Sequence, residues 1–313
     1  MFSALLLSGF LTFVELNCEN LFNTVHDSLK QDYEFLPDGS HRWTRTRYWR
    51  KLNAISKELI SLGEQNGTWR PPALAVLCEV ENDSVLFDLT RRSLLRSAGY
   101  QYVITESPDE RGIDVALLYD PFVFRLLYSR SIRVPLQKGM SPTRDILYAK
   151  GIVSGADTLH VFCVHAPSRR GGERASRPRR MHVARLLTSA IDSIYKCNSA
   201  AMVFIAGDFN DHSSSPAVRY ISSRGLVNIS SSATGRHGAR ATYRFRGLWE
   251  SLDQMFCSPS LASRLVECYI GDEPYLLEAD EKYGGVKPRR TYLGPRYLGG
   301  YSDHLPLVSV FEF

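Results

Sequence analysis

Apolar residues fall in short runs broken by turn-forming residues along almost the whole chain: FLTFVEL, ALAVLCEV, YQYVITE, IDVALLYD, FVFRLLY, DILYAKGIV, LHVFCVH, AMVFIAGDF, SLDQMFC and LPLVSVFEF. Their length and their β-branched and aromatic content predict strands. Several are apolar on both faces, so they belong inside a layered core. Elsewhere the period changes. Tyr48, Leu52, Ile55, Leu59 and Leu62 recur at intervals of three and four, and predict an amphipathic helix from Tyr48 to Leu62. A second helical pattern begins near Asp83 and stops at Gly99. A third runs from about Arg179 to Tyr195 on Met181, Val183, Leu186, Leu187 and Ile194, starting after Pro178. Many strands with few helices predict an α/β sandwich, two packed β-sheets flanked by helices. Segments 31 to 47, 166 to 178 and 270 to 300 read as surface insertions. With no internal repeat, low-complexity tract or linker-like shift, residues 1–313 read as a single domain.

The apolar strands repeatedly end in a carboxylate, an amide or an imidazole: Leu16-Asn17, Cys78-Glu79, Val164-His165, Gly207-Asp208-Phe209-Asn210, Leu252-Asp253 and Ser302-Asp303-His304. One such ending is ordinary, because a carboxylate closing a strand is usually a solvated end or a cap. A set of them predicts one polar rim. Hard cations such as Mg²⁺ take oxygen ligands from one or two carboxylates, so Glu79 with nearby Asp and Asn residues suits them. A set with two histidines and no cysteine argues against a thiolate-zinc site. Alternation sends Asp208 and Asn210 to one side and Phe209 to the other, while Gly207 permits close backbone approach. Asp208 is then placed to orient and deprotonate a water, and Asn210 to donate to a phosphate oxygen. An imidazole that binds or protonates phosphate needs its other nitrogen held by an acceptor, and Asp253 is the candidate partner of His304.

Composition narrows the class without naming a substrate. A chain of 313 residues, 44% hydrophobic, is long enough for one large layered core. The net charge of +5 only mildly favours anionic partners. The six cysteines are widely spaced with no Cys-x-x-Cys pair, and read as free thiols used as small hydrophobes. Met1 to Leu11 is apolar but lacks a positive n-region and a small-residue cleavage site, which favours a retained, cytoplasmic start over a secreted one. No run reaches the roughly 18 apolar residues of a spanning helix.

The segments LNCENLF, LCEVEN, RGIDVALLYD, VHAPSRRGG, AGDFND, SLDQMF and YSDHLPL, in this order, resemble the endonuclease/exonuclease/phosphatase superfamily, which includes pancreatic-type deoxyribonucleases, apurinic endonucleases, inositol polyphosphate 5-phosphatases and neutral sphingomyelinases. The resemblance covers nearly the whole chain and implies a four-layer α/β sandwich with a Mg²⁺ (or Mn²⁺) cofactor. It implies Glu79 as principal metal ligand, with Asn17 in the first metal-site motif and Asp303 beside the metal. Asp208 would position the nucleophilic water, Asn210 and His304 would meet the scissile phosphate, and Asp253 would orient His304. His165 looks like the histidine, and Arg111 like the phosphate-securing arginine, of the deoxyribonuclease branch. Asp114 reads as a residue behind the site or a plain strand start.

Three basic segments bear on substrate. Arg169, Arg170, Arg174, Arg177, Arg179 and Arg180 follow His165 closely. HRWTRTRYWRK interleaves Trp43, Tyr48 and Trp49 with cations, and ATGRHGARATYRFRG adds four arginines before Asp253. Together they favour a nuclease gripping a nucleic acid backbone, with Arg169 and Arg170 as substrate contacts. The aromatics equally suit anchors for the helix that follows. A phosphatase or phosphodiesterase acting on a small molecule or lipid headgroup is the alternative; a non-catalytic nucleic-acid-binding module is a third. Oligomeric state is open.

Overall fold

The structure, a computed structural model, describes residues 9–65, 67–137, 140–153 and 157–313. Most of the apolar N-terminus, Met1–Ser8, lies outside the described residues. All of the apolar runs form strands. In chain order these are β1 (Phe10–Leu21), β2 (Leu74–Val80), β3 (Gln101–Ile104), β4 (Asp114–Tyr119), β5 (Phe124–Ile132), β6 (Ile146–Val153), β7 (Asp157–His165), β8 (Met202–Asp208), β9 (Val227–Asn228), β10 (Asp253–Cys257), β11 (Leu265–Ile270) and β12 (Leu307–Glu312). Of these twelve, β9 and β11 lack a counterpart in the apolar pattern, and both are partly exposed edge strands with weak alternation; short two-stranded ribbons elsewhere also lack one.

The strands form two six-stranded sheets. One has the order β11-β12-β1-β2-β4-β3, the other β9-β10-β8-β7-β6-β5. Each is antiparallel except for one central parallel pair, β1 with β2 and β7 with β8. Both parallel pairs therefore run their C-terminal ends to a rim of their own sheet. The inner faces meet in an apolar core that includes Phe13, Val76, Val161 and Phe204. Phe13 of the first sheet sets its ring edge-on against Phe204 of the second, with centroids 5.1 Å apart, which fixes one sheet over the other.

Helix α1 (Arg45–Ser61) packs Leu52, Ile55 and Leu59 on the outer face of the first sheet, against Val14, Leu16 and Leu77. Thr44 caps it by accepting from the Arg47 amide at 3.4 Å. On the other side α2 (Glu173–Cys197) and α3 (Pro216–Ser222) cover Phe162, Val203 and Ile205. The result is the expected four layers, helix, sheet, sheet, helix.

Two helical expectations change. Residues 83 to 98 are three short pieces: Asp83–Phe87 runs on into a wider turn, Asp88–Arg92, and Leu94–Ala98 is set apart because Ser93 is extended and its hydroxyl caps the Leu95 amide. Helix α2 begins at Glu173, with Pro178 inside it. As the sixth residue of the helix, Pro178 removes the amide that would bond the Arg174 carbonyl. Arg180, buried, braces this turn by donating to the Ser176 hydroxyl at 2.7 Å and the Glu173 carbonyl at 3.1 Å. Five cysteines are buried or partly buried and Cys197 is exposed, all free. Among the described residues no helix is long and apolar enough to cross a membrane.

Candidate active site

The second sheet lays three polar residues side by side. Asp208 is in register with His165 across the parallel β7–β8 pair and with Asp253 across the antiparallel β8–β10 pair. All three are buried. Such a row needs the strands close, and Gly207 allows it: a Cβ there would lie 1.8 Å from the Val164 carbonyl oxygen. Asn210 follows in the left-handed region at φ 50°, its amide donating to Asp208 Oδ1 at 2.7 Å and its Nδ2 to Asp208 Oδ2 at 3.2 Å. Phe209 turns the other way into the α2 side of the core, as alternation predicts.

The first sheet supplies the opposing groups. Asn17 Nδ2 donates to Asp208 Oδ2 at 3.1 Å, joining the two sheets through the site. Simple alternation places Cys78 in the inter-sheet core and would turn Glu79 away from it. The pairing instead shifts between Cys78 and Val80, and Glu79 takes φ 61°. A bulge re-aims a side chain at some backbone strain, and here it aims Glu79 at the rim. Glu79 Oε2 accepts the Asn20 amide at 2.9 Å, and Oε1 lies 3.9 Å from His165 Nε2. The same imidazole nitrogen is 3.5 Å from Asp208 Oδ2.

His304 stands across the row. Its Nδ1 meets Asp253 Oδ2 at 2.7 Å, the predicted pairing. The ligand atoms of Asp208, Asp253 and His304 all lie within 4.8 Å of one another. Electrostatics separates the two imidazoles. Burial alone would lower His304, but the Asp253 carboxylate, with Asp303 and Asp208, outweighs it and holds the ring's pKa well above the ordinary value. His165 is pushed well below it by burial and by Arg144, Arg111 and His304, so it stays neutral. Asp208 is pushed up to about 7, first by burial and then by the Asp253 and Glu79 charges, against the opposing pull of His304. A carboxyl near 7 beside a neutral imidazole can exchange protons at neutral pH.

The remaining expected residues sit differently. Asp303 is held by Arg290 at 2.8 Å, and Arg290 also reaches Glu19 at 3.5 Å. Arg111 donates to Asn20 Oδ1, on the residue whose amide binds Glu79. Arg169 is turned inward, its Nε on the Asn210 carbonyl at 2.8 Å and its Nη1 on Glu250 at 2.9 Å. Arg170 is exposed. Asp114 ties the start of β4 to Thr105 Oγ1 at 2.5 Å and the Ser107 amide at 3.0 Å, away from the row.

Sequence pattern gave no sign of three neighbours. Tyr243 bridges to His304 and leans its ring on the imidazole at 4.8 Å between centroids. Arg290 arrives from a segment read as an insertion. Glu15, on the same face of β1 as Asn17, is buried with no partner among the described residues beyond the weakly donating Cys78 thiol, and burial with the Asp253 and Asp208 charges raises its pKa well above the carboxylate range. A lone glutamate in an apolar strand is the only signal for it.

Two layered sheets whose strand ends converge on buried carboxylates, an amide and a charged-neutral imidazole pair define a phosphoester hydrolase. The chain belongs to the Endonuclease/Exonuclease/phosphatase family, whose model matches residues 12–312. Among solved structures it is similar to a mannosyl-6-phosphatase of Bacteroides thetaiotaomicron, with 16% identity over 96% of this chain and 98% of that one and a TM-score of 0.64. It is also similar to TDP2 from C. elegans, with 14% identity over 97% of this chain and 75% of that one and a TM-score of 0.60. A protein of unknown function from Enterococcus faecalis is similar at 13% identity over 97% and 100%, with a TM-score of 0.60. No curated protein sequence matches.

Proposed function

We propose that this chain hydrolyses a compact phosphoester by in-line attack of a water held at Asp208, with Mg²⁺ or Mn²⁺ as cofactor. The observation that carries the reading is the row His165, Asp208 and Asp253, closed by Asn17 and Glu79 on one side and His304 on the other. Glu79 fits a hard cation, since its Oε1 accepts no hydrogen bond among the described residues and faces the rim. Asn17 Oδ1 takes only the Glu19 amide, at 2.9 Å, and keeps a lone pair. Asp303 suits the role less well, because Arg290 already holds it. The cation, when bound, neutralises phosphate charge and polarises the ester. Asp208 takes the proton of the water, His304 donates to a phosphate oxygen, Asn210 can join it by exchanging one of its bonds to Asp208 and the Ala166 carbonyl, and neutral His165, once it has accepted the proton that Asp208 collects, can pass a proton to the leaving group.

The arginine segments support a small footprint better than a long one. Arg177 pairs with Glu173, Arg180 with Asp211, Arg236 with Glu267 and Arg244 with Asp280. Trp43 and Tyr48 are buried anchors of α1, with the Trp43 indole donating to the Phe22 carbonyl at 2.8 Å, so they offer no stacking surface. Lys51 is buried on Thr291 at 2.7 Å. A nuclease remains the second reading, favoured by His165 and Arg111 at the rim and by the lack of any carboxylate partner, among the described residues, for Arg170, Arg174 and Arg179. Turnover of phosphosugars, mononucleotides, DNA and RNA with Mg²⁺ or Mn²⁺, and again in EDTA, tests this. Metal-dependent release of phosphate from small esters is expected. Cleavage confined to polymers would install the second reading, and no turnover of any phosphoester would sink both.

A further inference from the structure

Beside the reaction rim lies a cavity of about 280 Å³. It is walled by residues 134–137 and 140–144, by Arg179 and His182 of α2, and by the loop that leaves His165, whose Pro167 and Ser168 line it. Four arginines reach it, Arg111, Arg144, Arg170 and Arg179, against two carboxylates, Asp109 and Glu110. One carboxylate is already engaged: Asp109 Oδ2 accepts from Arg144 Nη1 at 3.2 Å. Arg170 and Arg179 have no carboxylate partner among the described residues. The cavity thus carries an uncompensated positive charge where a ligand would sit.

Its wall is also short of hydrogen-bond partners. Arg144 is 7% exposed, and its Nε has no partner. The Thr143 hydroxyl and His182 Nε2 are unpartnered too, both on residues lining the same cavity. Gln137 Nε2 contacts His182 Nδ1 at 2.9 Å. These three atoms lie beneath the cavity surface, so the contacts open to a ligand are those of the arginines that line it.

The cavity is coupled to the reaction rim by its own walls. Arg144 Nη2 donates to the Ala166 carbonyl at 2.7 Å, the oxygen that also takes Asn210 Nδ2 at 3.1 Å. Arg111 bonds Asn20, whose amide holds Glu79. An anion seated here is linked to the rim through the Ala166 carbonyl and Asn20. The volume sits at the small end of ligand pockets and admits a phosphate with part of a sugar, not a duplex.

We propose that this cavity is a second-phosphate subsite, so that the preferred substrate carries a further phosphate beside the ester that is cut. The proposal rests on the reading of the rim as a phosphoesterase site and names what that site selects. The second phosphate has two chemical sources, a doubly phosphorylated small molecule or the neighbouring phosphate of a short nucleic acid strand.

Two measurements test it. The first compares kcat/KM, with Mg²⁺, for a hexose bisphosphate against the monophosphate, and for a dinucleotide with and without a 5′-terminal phosphate. An advantage of about tenfold or more for the doubly charged member of one pair is expected, and that pair identifies the source. Arg179→Ala should reduce the advantage to near unity; Arg179 is half-buried and has no carboxylate partner among the described residues, so a melting curve should show the variant folded. Equal kcat/KM within both pairs would overturn the subsite. The second titrates inorganic phosphate by calorimetry in EDTA, which needs no turnover. Binding weakened about tenfold by Arg179→Ala, and little by His304→Ala, supports the cavity as the anion's seat. The reverse pattern, or no binding, overturns it. If no phosphoester is turned over but phosphate binding follows Arg179, the rim reading fails and the subsite stands.

Discussion

Asp253→Asn isolates the role of the buried carboxylate opposite His304. The substitution keeps shape and removes one charge from a pair 2.7 Å apart in which both partners are buried. Breaking a buried hydrogen-bonded ion pair from one side costs on the order of 3 to 5 kcal/mol. If the same charge is felt in the transition state, about 1.36 kcal/mol per tenfold gives a loss of roughly 10² to 10⁴ in kcat. The cause also predicts a pH signature. With the carboxylate gone, burial becomes the dominant influence on His304 and lowers its pKa, so the ring is neutral at pH 7 and regains charge only in acid. The assay is kcat and KM from pH 5 to 9 on a substrate found by the metal-supplemented screen, with thermal melts as the control for folding. The variant should lose kcat far more than it gains KM, and its optimum should move to lower pH. A folded variant with kcat within tenfold of the parent at pH 7, and an unmoved profile, would refute the role given to the pair.

Three further substitutions test other links. Gly207→Ala places a Cβ 1.8 Å from the Val164 oxygen, so β7 and β8 must part at the reaction row; a loss of about 3 kcal/mol or more in denaturant melts is expected, and a loss under about 1 would mean the strands adjust freely. Arg169→Ala removes the brace on the Asn210 carbonyl and Glu250; kcat should fall about tenfold with KM and salt dependence little changed, whereas a flatter salt dependence with kcat intact would restore Arg169 as a direct substrate contact. Glu58, fully buried in α1 with no partner on either oxygen, is pushed up to about 8 by burial, against the pull of Lys51. The fold keeps a proton that the unfolded chain releases near its ordinary value, so this contribution is complete below about 4.5, declines as pH rises, and is gone above about 8; its full size is on the order of 5 kcal/mol. Glu58→Gln should flatten the fall in stability between pH 5 and 8, and an unchanged slope in urea melts would show that Glu58 ionises freely in the fold.

Strand and helix assignment was legible because burial writes itself into residue type. A strand such as β8, covered by α2 on one face and the other sheet on the opposite face, has to be apolar throughout until it reaches Asp208. Polar strand ends were legible for the same reason, since nothing in a core accounts for them. What residue type does not encode is whether a charge is already answered. Arg169, Arg180 and Arg244 read alike in the chain, and each is engaged inside the fold by a carboxylate more than 30 residues away. Pairing of that kind depends on which loops meet, and no local pattern carries it. The same holds for Arg290 and Tyr243, which reach the rim from segments with no apolar period. Glu79 is a case in between: its identity marked it, but alternation aimed it wrongly, and the bulge at φ 61° that corrects the aim has no glycine or proline to announce it.

The site belongs to neither sheet. Asn17 and Glu79 come from the first, His165, Asp208 and Asp253 from the second, and His304 from the approach to β12 in the first. Their relative position is set by the apolar core beneath them, where Phe13 meets Phe204, and by two bonds that cross at the rim itself, Asn17 to Asp208 and His304 to Asp253. Along β1 the inward face passes from Phe13 through Glu15 to Asn17, so the core ends in a carboxyl before the reacting groups begin. Raised far above its ordinary value by burial and by Asp253 and Asp208, Glu15 stays uncharged and adds no further repulsion to a row that already crowds two aspartates together. Ionised, it would set a third buried negative charge beside them and push Asp208 beyond the range in which it can lose a proton to become a base. Neutral, it lets apolar packing continue to within one turn of side chains of the chemistry, which is how a rigid core can hold a charged site to fixed geometry.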